Sequence, residues 1–139
     1  MKYLPLIGRI CLSAIFILAT PGHFTAGYAA MAAQAGVPAA RVLVPLAGVL
    51  SLAGGLSIAF GYKAKLGAWL LVVFLIPVTV TMHAFWAVGD PMMHAIQQGM
   101  FMKNVAMLGG ALLIAYFGAG PLSLDSRRAA SPAPAPPGR

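Results

Sequence analysis

Long apolar runs alternate with short breaks that carry the charges, glycines and prolines. The runs lie at about 4–24, 40–60, 66–88 and 96–117. A helix rises 1.5 Å per residue, so about 20 apolar residues cross the hydrocarbon core. Each run therefore predicts one transmembrane helix, and together they predict an all-α, integral membrane four-helix bundle. Lys2 and the apolar run behind it resemble a signal peptide, but no small-x-small cleavage pattern closes the run and three more spans follow. It reads as a retained helix. Residues 1–125 make the four-span domain. Residues 126–139, ending in AASPAPAPPGR, are too rich in proline and alanine to bury a core and are expected to form a disordered tail.

The breaks carry their own signals. Residues 25–35 are alanine-rich and predict a brief interfacial helix with Tyr28, Met31 and Ala35 on one face, ended by Gly36 and Pro38. Residues 61–65 (GYKAK) form a tight basic turn. Asp90 and Pro91 suit the N-cap and first position of a helix. Residues 118–121 (GAGP) stop the last one. Small residues four apart, Ala47, Ser51 and Gly55 in the second span and Ala106 and Gly110 in the fourth, mark seams where helices approach closely. Leu71 is expected to face lipid.

Composition supports this reading. The chain of 139 residues is 60% hydrophobic and 8% charged, against about 25% charged in soluble domains. Lipid must cover much of its surface. The net charge of +7 does not indicate nucleic acid, because the basic residues are not interleaved with stacking aromatics. They follow membrane topology instead. Lys2, Lys63, Lys65, Arg127, Arg128 and Arg139 fall on one side and Arg41 on the other, which predicts a multi-pass membrane protein with both termini cytoplasmic. The single cysteine, Cys11, excludes an internal disulfide and a CxxC pair and reads as a small core residue.

Polar residues inside the spans are the candidates for chemistry. Lys103 and Asn104 interrupt the fourth run, and a charge at membrane depth costs roughly 2.5–3.5 kcal/mol on insertion scales. Lys103 needs a partner, a cavity or a route to the interface. Arg9 either snorkels to the headgroups or faces the bundle. The second reading draws on Arg9, Ser13, Phe16, Thr20 and His23, which share one helical face. Thr79, His83 and Trp86 repeat the pattern on the third span, and Gln97, Phe101 and Asn104 on the fourth. Convergence of His23, His83, Trp86, Phe101, Lys103 and Asn104 in the outer half, with Arg9 in the inner half, would make a pocket suited to a quinone headgroup or another small amphipathic ligand. The alternative is that His and Trp simply anchor helix ends. Met82, His83, Met92, Met93, His94, Met100 and Met102 crowd the outer parts of the third and fourth spans. Their spacing matches no ligand motif and there is no CxxCH, so haem and copper are not expected.

Several short motifs together resemble DoxX family membrane proteins. They are Gly8-Arg9, then 35–38 (AGVP), Gly54-Gly55, Gly61-Tyr62, His83-x-Phe85, 101–104 (FMKN), Gly109-Gly110, and Gly118-x-Gly120-x-x-Ser123-x-Asp125. The resemblance implies four helices and an inner-membrane subunit accessory to a redox or quinone-linked system, with an oxidoreductase protein as partner. It also implies a glutamate where this chain has Ser51. Without the resemblance, the residues leave two other classes open, a binding or transport module for a small hydrophobic molecule and a structural assembly partner. No acid–base pair, nucleophile triad or nucleotide motif marks a catalytic centre.

Overall fold

The structure, a computed structural model, describes residues 1–130. It is all-helical over those residues. Helix α1 spans Leu4–Ala19 and continues as a 3-10 turn, Thr20–Phe24. Helix α2 spans Ala26–Gln34, α3 Ala40–Phe60, α4 Ala64–Met82, α5 Pro91–Phe117 and α6 Leu124–Ala130. Four stretches are long and apolar enough to cross a membrane: Leu4–Phe24, Ala40–Phe60, Ala64–Ala87 and Pro91–Phe117. The expected disordered tail begins instead as α6, and residues 131–139 lie outside the described part.

Local chemistry sets the boundaries. Thr25 accepts from the Tyr28 amide at 3.3 Å and caps α2, and Gly36, at φ +86°, follows its end. The Asp90 carboxylate accepts from the Met93 amide at 2.8 Å, so α5 starts at Pro91 rather than near 96. This moves Lys103 and Asn104 to the middle of a 27-residue helix. At the other boundary, α4 ends at Met82 and a separate 3-10 turn, Phe85–Ala87, follows. The helical spacing assumed for Trp86 therefore does not hold.

Helix α3 is the hub. It packs on α1, α2 and α4, and α5 packs on α4, while the backbones of α1 and α5 scarcely approach one another. Phe16, Ile58, Leu71, Phe74, Leu75 and Ala111 form the core. Leu71 is fully buried, contrary to its expected lipid-facing position. Cys11 is exposed, not in the core.

The seam on α3 has two faces. Ser51 and Gly55 face α1: a methyl group at Gly55 would lie 3.2 Å from Phe16 Cβ. Gly54 faces α4, where a methyl group would meet Leu71 Cδ2 at 2.7 Å and the Gly67 carbonyl oxygen at 2.8 Å. On α5 the expected seam is absent. Ala106 is exposed, and a methyl group at Gly110 would reach Leu12 at an ordinary 3.4 Å.

The bundle end that carries the α3–α4 turn is closed by the segment after α5. The Asp125 carboxylate accepts from the Lys63 amide at 2.8 Å and the Ala64 amide at 2.9 Å. It caps α4 in place of Lys63, whose side chain makes no cap and whose φ is +48°. The Asp125 amide donates to the Gly61 carbonyl at 2.8 Å. Arg9 lies beneath, 2% exposed, and its Nη2 donates to the Leu122 carbonyl at 2.7 Å. Its Nη1 abuts the α-carbon of Gly61, where any side chain would collide. Arg9 thus faces the bundle and does not snorkel to the headgroups.

Candidate functional site

A cavity of about 190 Å³ lies where α1 and α5 fail to close on each other. Ile15, Phe16 and Ala19 line it from α1, Ser51 from α3, Phe74, Leu75 and Val78 from α4, and Lys103, Asn104 and Met107 from α5. His23, Tyr28, Met31, Met82 and His83 complete the lining.

Most polar groups around it are satisfied by their own or adjacent backbone. Ser13 Oγ donates to the Arg9 carbonyl at 2.6 Å and Thr20 Oγ1 to the Phe16 carbonyl at 2.7 Å. Ser51 Oγ donates across the seam to the Phe16 carbonyl at 3.3 Å. The hydroxyls of the α1 stripe are therefore buried and bonded to their own helix, as hydroxyls in apolar helices commonly are. His23 Nδ1 lies 3.2 Å from the Ala19 carbonyl, its ring 5.8 Å from that of Phe74 and 5.3 Å from that of Tyr28. Gly48 permits this, since a methyl group there would lie 2.6 Å from His23 Cβ. His83 Nδ1 lies 2.8 Å from Gln97 Oε1.

Two residues differ from this pattern. Asn104 is 5% exposed and lines the cavity, yet among the described residues no group bonds its side-chain amide. Lys103 is exposed, and its Nζ reaches only the Met100 thioether at 3.2 Å. Sulfur is a weak acceptor, so the charge is poorly matched.

Four of the seven candidate residues, His23, His83, Lys103 and Asn104, thus line one cavity. Trp86 and Phe101 do not. They join Phe85 in an edge-to-face cluster, with Trp86 5.2 Å from Phe85 and 5.8 Å from Phe101, and His94 5.4 Å from Phe85. Arg9 belongs to the closed end of the bundle. The sequence reading missed Ser51, Tyr28, Met31 and Met107. Ser51 had a signal in its place on the α3 seam, and Tyr28 and Met31 in their shared face on α2. Among the described residues, no three His, Cys, Asp or Glu side chains group as a metal site. A second groove, of about 670 Å³, runs between α2 and the start of α3, lined largely by alanines together with Arg41.

The SURF4 family matches residues 29–130. The chain belongs to the SURF4 family. It is 36% identical over 124 residues to the inner membrane protein YqjF of Escherichia coli (strain K12), covering 86% of this chain and 88% of that protein. It is also 30% identical over 80 residues to the ER-derived vesicles protein ERV29 of Saccharomyces cerevisiae, covering 58% of this chain but 26% of that protein. No solved structure matches.

SURF4 membership overturns the DoxX resemblance. The motifs that suggested DoxX are short, and the structure accounts for the strongest of them physically. In Gly118-x-Gly120-x-x-Ser123-x-Asp125, Gly118 and Gly120 take positive φ, and Ser123 and Asp125 fix the segment that caps α4. The redox role, the quinone and the oxidoreductase partner came chiefly with that resemblance and find no support in the family or its named members. Ser51 is no longer a departure from a pattern, because it fits the α1–α3 seam.

Proposed function

We propose that this SURF4-family protein is a membrane binding module that admits a small amphipathic molecule sideways from the bilayer. The observation that carries this reading is the buried, unpartnered Asn104 facing a cavity between two helices that do not close. The Asn104 amide opens onto the cavity instead of being sealed in the packing, so a ligand there can take up its hydrogen bonds. The walls suit an apolar body: Phe16, Val78, Met82 and Met107. His23, His83, Lys103 and Asn104 supply polar contacts; Arg9, Trp86 and Phe101 act from outside, holding helix ends.

Ala19 is exposed and lies on the cavity wall, so Ala19→Phe fills the mouth without entering the core. Native mass spectrometry from mild detergent should show a small molecule retained by the wild type and lost, or reduced several-fold, in Ala19→Phe at equal protein yield. Equal retention, or no retained molecule in either, rejects the reading.

Orientation belongs to the same proposal. The lysine and arginine asymmetry puts both termini and the α3–α4 turn in the cytoplasm, residues 1–125 as the membrane domain and 126–139 as the tail beyond it. The cavity then opens towards the outer leaflet. The name of the YqjF relative favours an inner membrane. A reporter active only outside the cytoplasm, fused after Arg139, should be silent, and a strong signal would reverse the assignment.

A further inference from the structure

Resting on the binding-module reading, we infer that the cavity is specific for an anionic head, the carboxylate of a single-chain amphiphile, whose hydrocarbon chain leaves between α1 and α5 into the bilayer. Charge comes first. Lys103 sits mid-way along α5 on the cavity wall and bonds only a thioether. The whole chain has two acidic side chains, and both are committed elsewhere: Asp90 caps α5 and Asp125 caps α4. Among the described residues no carboxylate therefore faces the lysine, and a molecule that enters the cavity can supply its countercharge.

The hydrogen-bonding inventory agrees. Asn104, the neighbour of Lys103 on α5, carries two amide N–H donors with no acceptor among the described residues. A carboxylate presents two acceptor oxygens and no donor, which matches a lysine and an amide side by side. A neutral carbonyl would leave the ammonium charge unmatched.

Size restricts the head further. At ~30 Å³ per water, 190 Å³ corresponds to about six waters. This is below the 300–1,000 Å³ of pockets that enclose a drug-sized ligand. A carboxylate and the first few methylenes fit, while the rest of a long chain must lie outside. The loose α1–α5 junction supplies that exit, floored by Leu12 against Gly110.

The test uses the full chain in a non-ionic detergent, with radiolabelled oleate, methyl oleate and oleoyl lysophosphatidylcholine followed by equilibrium gel filtration. Oleate is expected to bind at one per chain, at least about tenfold more tightly than methyl oleate, since a charge-assisted bond is lost in the ester. Lys103→Met should weaken oleate about tenfold and leave methyl oleate unchanged, and Ala19→Phe should block both. Lys103 is exposed, so its replacement spares the core. Were that variant to misfold, the comparison of acid with ester on the wild type still decides. Equal binding of oleate and methyl oleate, or unaltered oleate binding by folded Lys103→Met, overturns the head-group assignment but leaves the cavity reading standing. Tighter binding of the lysophospholipid than of oleate also overturns it, in favour of a phosphate head. Failure of all three probes overturns it too, and the retained molecule in native mass spectrometry then judges the cavity reading separately.

Discussion

Gly54→Leu is expected to abolish accumulation of the folded bundle, and Gly54→Ala to destabilise it by about 1–3 kcal/mol, the usual cost of overpacking. At this position α3 packs directly against the backbone of α4. The added methyl group would lie 2.8 Å from the Gly67 carbonyl oxygen, a backbone atom that cannot rotate away, and 2.7 Å from Leu71, which is itself fully buried. Contact is reciprocal, because a methyl group at Gly67 would collide with Ser57 and stand 3.1 Å from the Gly54 carbonyl. Relief requires moving the helices apart along much of the core. Gly109→Ala is the matched control. It lies in α5 with nothing within 4 Å of the added carbon, so it should be neutral or stabilising by up to about 1 kcal/mol through helix propensity. Thermal unfolding in detergent separates the two. Similar midpoints for Gly54→Ala and Gly109→Ala would show that the crossing is looser than the geometry says.

The contrast shows what the sequence could and could not convey. Hydropathy located all four spans, because lipid leaves a helix no alternative but a long apolar run. The one-face stripe on α1 was also legible, since Arg9, Ser13, Phe16, Thr20 and His23 are all buried. Spacing alone did not say which glycines touch a neighbour. Gly55 and Gly110 look alike in the chain, but one meets α1 tightly and the other meets a flexible leucine. Leu71 was misplaced for a related reason. In a span that is apolar all round, the buried face carries no compositional mark, so it was assigned to lipid when it is core. The cavity was half legible. His23, His83, Lys103 and Asn104 were marked by polarity in an apolar context, whereas Trp86 was lost when α4 ended at Met82 and broke the assumed period. The role of Asp125 was hidden for a different reason. Its amide partners lie about 60 residues earlier, at Lys63 and Ala64, and no local pattern announces a cap supplied from so far along the chain.

Asp125→Ala should destabilise the protein by about 1–3 kcal/mol, and Arg9→Met should restore part of that loss in the double variant. Asp125 does two things. Its carboxylate caps α4 through the Lys63 and Ala64 amides, and loss of a cap costs about 0.5–2 kcal/mol. It also lends its negative charge to Arg9, whose guanidinium is buried with Nε and Nη1 unpartnered and Nη2 on the Leu122 carbonyl. Removing a countercharge from a buried cation costs more than the contact itself gained, because the remaining charge stays desolvated. Methionine at position 9 keeps the volume and removes the charge, so the second contribution vanishes while the lost cap remains. The double variant should therefore melt above Asp125→Ala and below wild type, and its loss minus the losses of Asp125→Ala and Arg9→Met measures the coupling. Additive losses in the double variant would mean that Asp125 acts on α4 alone and that Arg9 is held by its carbonyl contact without help from the acid.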